Sequence, residues 1–268
     1  AQAIWLKVSV GGRNSELMAP RRRPAASTCG GLSRGAAGLP EWLRDAGVWW
    51  DEEALHLAAS PLHGSGVFAR RELRCGEVLA TIPSSACLGV ATCGISRRLS
   101  RLVADGTLDD EIALVVAILY ERRRGARSRW AGYFRYLEGD RPHTPQVWSP
   151  AEQVLLAGTE CDRNDEAGWT SGAQQRRAQQ SRTLLRGMRP LLQRLMPKGP
   201  AITASEFLAA VYWSESRAFD VGGTRGAEEA LCPLADLFNH RAARVPRGAS
   251  SRGRRRRGAA SDSPAMDI

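Results

Sequence analysis

Between residues 54 and 83 the chain alternates short apolar segments with turn residues. Ala54 to Ala59, Gly66 to Ala69 and Val78 to Ile82 are separated by Ser60-Pro61, Gly64-Ser65-Gly66 and Cys75-Gly76, with Pro83 closing the series. That pattern predicts successive β-strands. Ahead of them Glu41, Trp42, Leu43, Trp49 and Trp50 mix aromatic and charged positions, and a short helix is predicted there. Beyond them the period becomes helical. Asp109-Asp110 open and Arg122-Arg123-Arg124 close a segment whose apolar body runs from Ile112 to Tyr120, with terminal charges that oppose a helix macrodipole. Ser149-Pro150-Ala151-Glu152 and Thr203-Ala204-Ser205-Glu206 each put a hydroxyl at an N-cap with glutamate three positions on, which predicts two further helix starts. The second leads into FLAAVYWSESRAF. Residues 173 to 196 have helical composition, with a break predicted at Pro190. Leu231-Cys232-Pro233-Leu234 is a final short apolar segment before Ala235-Asp236-Leu237-Phe238-Asn239-His240. The expected class is therefore α+β, a β-rich unit interrupted by a helical insert over about residues 97–218.

The two ends of the chain differ from this body. Residues 1–38 lack periodicity and are rich in Ala, Gly, Ser, Arg and Pro, so a disordered leader is expected. Within it Met18 opens an Arg-rich, acid-free run that reads either as an organelle transit peptide or as an untranslated or low-complexity leader. Residues 241–268 hold eight arginines and no core-forming pattern, and a disordered tail is expected. The net charge of +10 sits in these ends, since residues 39–240 carry 24 basic and 25 acidic side chains. A basic nucleic-acid-binding core is therefore not indicated. The longest strongly apolar run, Ile112 to Tyr120, falls far short of the roughly 20 residues a membrane span needs, so a soluble protein is expected. Six cysteines without a CxxC pair, and four histidines, fit neither a disulfide framework nor a zinc finger. Reduced thiols in an intracellular compartment are the expectation, with chloroplast or mitochondrion allowed by the leader and cytoplasm or nucleus otherwise.

Isolated motifs carry little. Gly31-Leu32-Ser33-Arg34-Gly35 matches G-x-S-x-G but lacks the flanking strand and helix of a nucleophile elbow. Gly64 to Ala69 matches G-x-G-x-x-A, yet strand texture returns by Val78 where a dinucleotide-binding unit needs a long helix. The spacings of Cys87 with Cys93 and of His56 with His63 make no metal knuckle. Taken alone, His240 reads as a core or turn residue.

Three segments in one order say more. PLHGSGVFARRELRCGEVLATIP, WSESRAF and CPLADLFNH together resemble the SET-domain methyltransferases, in the branch similar to the Rubisco large-subunit lysine methyltransferase. The resemblance covers about residues 39–240 and implies a SET-type β-rich fold interrupted by the helical insert and incomplete at its C-terminus. It implies S-adenosylmethionine as methyl donor. Main-chain groups of His63, Gly64, Ser65 and Gly66 would meet the donor, where a missing Cβ lets backbone approach a ligand. Arg217 would pair with the donor's carboxylate, a task suited to a guanidinium fork. Asp236, Asn239 and His240 fall on the segment that holds its amino-acid and adenine portions. His63 departs from relatives that are often acidic there.

The resemblance further implies in-line attack of a deprotonated amine on the sulfonium methyl, helped by alignment and oxygen dipoles. The acceptor would be a protein lysine, with histidine as the other choice, and neither a metal nor a membrane is implied. The family's channel tyrosine follows the Asn-His segment, whereas the tyrosines here are Tyr120, Tyr133, Tyr136 and Tyr212, so no catalytic residue is assigned. The Arg-rich ending reads as intron read-through, a frameshift or an alternative exon in preference to a genuine basic tail. The competing reading is a noncatalytic SET-like fragment whose Arg254 to Arg257 run serves nuclear localisation or nucleic-acid binding.

Overall fold

A computed structural model describes residues 3–7, 36–60, 64–139, 148–163, 168, 170–223 and 226–239 of the chain. Along these residues run β1 (Ala3–Lys7), α1 (Leu39–Asp45), β2 (Trp49–Trp50), β3 (Leu55–Ala59), β4 (Ser65–Ala69), β5 (Val78–Pro83) and β6 (Leu88–Gly89). The helical stretch follows as α2 (Ser96–Ala104), α3 (Asp110–Arg123), α4 (Ala131–Gly139), α5 (Pro150–Gln153), α6 (Ser171–Leu195) and α7 (Ala204–Arg217). The hairpin β7 (Ala218–Gly223) and β8 (Gly226–Leu231) returns the chain to sheet.

Helix α3 explains much of the packing. Its residues from Ala113 to Leu119 are all buried, and a helix that is apolar all round must be surrounded. It packs against α2, α7, β6 and β8. The Asp109 carboxylate caps it by accepting from the Ile112 N–H at 2.7 Å. Near its other end Glu121 is fully buried yet satisfied: it accepts from the Gly94 N–H and the Ser128 hydroxyl, each at 2.7 Å, and pairs with Arg124. A buried charge with those partners fastens the segment before α2 to the turn after α3.

Three small antiparallel sheets flank this core. One has the order β1-β5-β2, with Ile4 opposite Ile82 and Trp50 opposite Ala80. The β3–β4 hairpin sets Ala58 opposite Gly66. The third has the order β6-β8-β7, with Leu88 opposite Leu231 and Phe219 opposite Ala230. Helix α1 lies against α4 at a very close approach: a Cβ on Gly132 would fall 2.4 Å from the Trp42 indole, so only glycine fits there.

The early strands, the helical stretch, the Asp109 cap and both capping boxes, Ser149/Glu152 and Thr203/Glu206, lie where the sequence predicts them. Three features differ. Ala3–Lys7, inside the expected leader, is a strand on β5; its apolar AIWLK run is diluted by the polar composition around it. Helix α6 continues through Pro190. A helix-interior proline costs about 3 kcal/mol, but Leu185 and Met188 before it and Leu192 and Leu195 after it are all buried, and their burial, at roughly 1.5–3 kcal/mol for each large apolar side chain, outweighs that cost. The β7–β8 hairpin replaces the end of the predicted final helix, which stops at Arg217. The Gly31–Gly35 match and the Arg-rich tail lie outside the described residues.

Candidate functional site

The β3–β4 turn and the segment after β8 meet at one end of the sheets. Gly64 adopts a left-handed φ of 65°, which turns the chain into β4 and pairs the Ser60 N–H with the Gly64 carbonyl at 2.8 Å. Ser65 and Gly66 then enter β4, and both are buried or nearly so. A Cβ on Gly66 would lie 2.8 Å from the Asn239 Nδ2, so the glycine backbone and the Asn239 carboxamide face each other with no side chain between them. The same amide contacts the Ser60 hydroxyl at 3.4 Å, across 179 residues of sequence.

Asp236 and Asn239 sit on and just after a single 3-10 turn, Ala235–Leu237. The turn is reached through Leu234, which holds an unfavourable φ of 76° while its side chain is fully buried. Non-glycine residues occupy that region only when their surroundings impose it, and such strain gathers at functional sites. The Asp236 N–H to Cys232 carbonyl bond at 3.1 Å and the Leu237 N–H to Leu234 carbonyl bond at 3.1 Å fix the turn.

Behind this turn lies a buried polar cluster. Arg217, the last residue of α7, reaches Asp236 with Nη1 to Oδ2 at 2.9 Å; the aspartate side chain is fully buried and that of the arginine one-tenth exposed. The same Nη1 donates to the Tyr136 hydroxyl at 3.2 Å, and the guanidinium lies 5.3 Å over the Tyr136 ring. Tyr133 donates its hydroxyl to Asp236 Oδ2 at 2.7 Å. Its ring stacks on Trp42 of α1 at 5.9 Å, and the Trp42 indole N–H donates to the Arg129 carbonyl at 2.9 Å. Burial, followed by the nearby Asp236 charge, pushes the Tyr133 hydroxyl well above its ordinary pKa, so it remains a proton donor. Burial works against the Arg217 charge, but Asp236 and the two tyrosines outweigh it and its pKa is raised.

Of the residues predicted from sequence, Gly64, Ser65, Gly66 and Asn239 come together at the turn, and Arg217 and Asp236 form the ion pair beside it. His63 and His240 lie outside the described residues. The tyrosine pair went unpredicted as part of the site; the available signal was the i, i+3 spacing of Tyr133 and Tyr136, which puts both on one helix face. His56, to which the sequence assigns no role, lies opposite Phe68 in the β3–β4 hairpin with its ring 5.6 Å from the phenyl ring. Among the described residues no group of three His, Cys, Asp or Glu side chains is placed to hold a metal ion, and no helix is long and apolar enough to cross a membrane.

No family model matches the chain. It is 35% identical over 146 residues to the N-lysine methyltransferase SETD6 of Mus musculus, covering 53% of this chain and 30% of that protein. It is 25% identical over 222 residues to ribosomal lysine N-methyltransferase 3 of Saccharomyces cerevisiae, covering 71% and 37%. To the chloroplastic [fructose-bisphosphate aldolase]-lysine N-methyltransferase of Arabidopsis thaliana it is 28% identical over 225 residues, covering 81% and 44%. The chain thus spans less than half the length of these relatives. Its structure matches the SET domain of LSMT bound to methyllysine and AdoHcy with a TM-score of 0.58 at 21% identity, over 79% of this chain and 46% of that one. Rubisco LSMT bound to sinefungin and monomethyllysine matches with a TM-score of 0.57 at 22% identity, over 81% and 47%.

Proposed function

From a chain that has the SET-domain fold and is a homologue of SET-class lysine N-methyltransferases, we propose the function of an S-adenosylmethionine-dependent protein-lysine N-methyltransferase. The observation that carries the proposal is the meeting of the Gly64–Gly66 turn with Asn239, beside the Arg217–Asp236 pair. When bound, S-adenosylmethionine supplies a methyl group on a cationic sulfur, an electrophile for an amine.

The residues fit such a donor. Without a Cβ at Gly66, polar backbone and the Asn239 carboxamide lie side by side, and together they offer both hydrogen-bond donors and acceptors to a nucleoside or an amino group. Arg217 suits a carboxylate, and its place at the C-terminal end of α7 stabilises its charge through the helix dipole. His63 and His240 belong to the proposed donor site by their sequence positions, as do Ser65 and Asp236. Lysine is favoured over histidine as acceptor because the matched relatives are named for lysine. An intracellular place of action is part of the proposal, supported by the relative named as chloroplastic.

Calorimetric titration of the full chain with S-adenosylmethionine at moderate salt tests the reading. Saturable binding is expected, and its loss in Asn239→Ala and Arg217→Ala. No binding by a demonstrably folded chain overturns it.

A further inference from the structure

An arginine paired with a buried aspartate presents no net charge. It attracts a second anion only through N–H groups held in the right direction, so what fixes the guanidinium decides whether it recognises anything. In this chain two tyrosines of one helix do the fixing. Nη1 of Arg217 carries two hydrogens; one goes to Asp236 Oδ2 and the other to the Tyr136 hydroxyl, and these two directions define the plane of the whole group. The Tyr133 hydroxyl occupies the same Oδ2 from a different side. With that oxygen shared between Nη1 of Arg217 and the Tyr133 hydroxyl, the carboxylate that anchors the guanidinium is itself held in place from α4. Tyr133 is itself locked by its stack on Trp42, which fits closely because residue 132 is glycine.

We infer that Tyr133, supported by Tyr136, is a positioning residue that aims Arg217 at the carboxylate of an amino-acid ligand. The inference rests on the donor-site reading above and deepens it: the α4 tyrosines touch the arginine and aspartate and act on the ligand through them. Its consequence is specific. Removing the Tyr133 hydroxyl weakens whatever part of the affinity depends on the ligand's carboxylate and leaves the rest intact.

The test compares two ligands by calorimetry on the full chain: S-adenosylmethionine and its decarboxylated analogue. In the unmodified chain the first binds more tightly. In Tyr133→Phe, which keeps the ring and its stack, affinity for S-adenosylmethionine is expected to fall about tenfold while that for the decarboxylated analogue changes by less than about twofold. Tyr136→Phe, which removes the second anchor of Nη1, is expected to show the same selective loss and provides the answer if Tyr133→Phe does not fold. Equal weakening of both ligands in the folded variant means a general structural role and overturns the inference, as does no change in either. Failure of the unmodified chain to bind S-adenosylmethionine is a different result, since it overturns the donor-site reading itself.

Discussion

At the scale of single residues, Gly66 carries the sharpest steric requirement in the candidate site. An added methyl would meet ordinary contacts at Phe68 and Ser60 but would press on the Asn239 amide at 2.8 Å. The far end of a side chain can move where a backbone cannot. Gly66→Ala is therefore expected to leave the melting temperature within a few degrees and to weaken S-adenosylmethionine binding about tenfold, seen by titration; unchanged affinity would remove Asn239 from the site. Glu77 offers a test of electrostatics. The hydrogen bond from Arg71, with the Arg74 N–H at 2.8 Å, lowers its carboxyl pKa from 4.5 to about 2. A carboxyl depressed in the native state stabilises it fully above its unfolded pKa, and that stabilisation is lost as pH falls from about 4.5 through 2. Carboxyl NMR should show Glu77 titrating near 2 in the native chain and moving upward in Arg71→Met. A native value near 4.5 would mean the pair does not form in solution.

At the scale of elements, what was legible in the sequence was local. Thr203 and Glu206 are three residues apart and form a reciprocal cap, with the Thr203 N–H to Glu206 Oε2 at 2.8 Å, so the pair could be read without knowing the fold. Thr203→Ala is expected to cost about 1 kcal/mol in denaturant unfolding, because one N–H of the first turn loses its acceptor. What was not legible depends on distant partners. The GAEEAL run of β8 has few β-forming residues and is a strand because β7 and β6 pair with it and α3 packs beside it. The contact between Tyr133 and Asp236 joins positions 103 apart, and no local pattern announces it. Only the order of the three motifs, through their family resemblance, places Arg217, Asp236 and Asn239 together; spacing alone gives no reason to join them.

At the scale of the whole molecule, α3 joins the helical insert to the sheets. Ile118 is fully buried in a helix that touches α2, α7, β6 and β8. Ile118→Ala is expected to lower unfolding free energy by roughly 2–5 kcal/mol, and fluorescence and circular dichroism should report one shared transition. Two separate transitions would show that insert and sheets unfold independently. The sheet that closes over α3 also has a history in time. Leu88 pairs with Leu231, and next to that pair the Ala91 N–H donates to Glu228 Oε1 at 2.8 Å across 137 residues. Bringing such distant points together is entropically costly for an open chain and far less so once the intervening residues are already coiled into short, compact rods. Helices form in about a microsecond, whereas a pairing of this span waits on the chain between. The insert is thus expected to be an early product of folding, and the turn bearing Asp236 and Asn239, which directly follows β8, among the last parts set in place; pulse-labelling hydrogen exchange should protect α3 amides before those of β8.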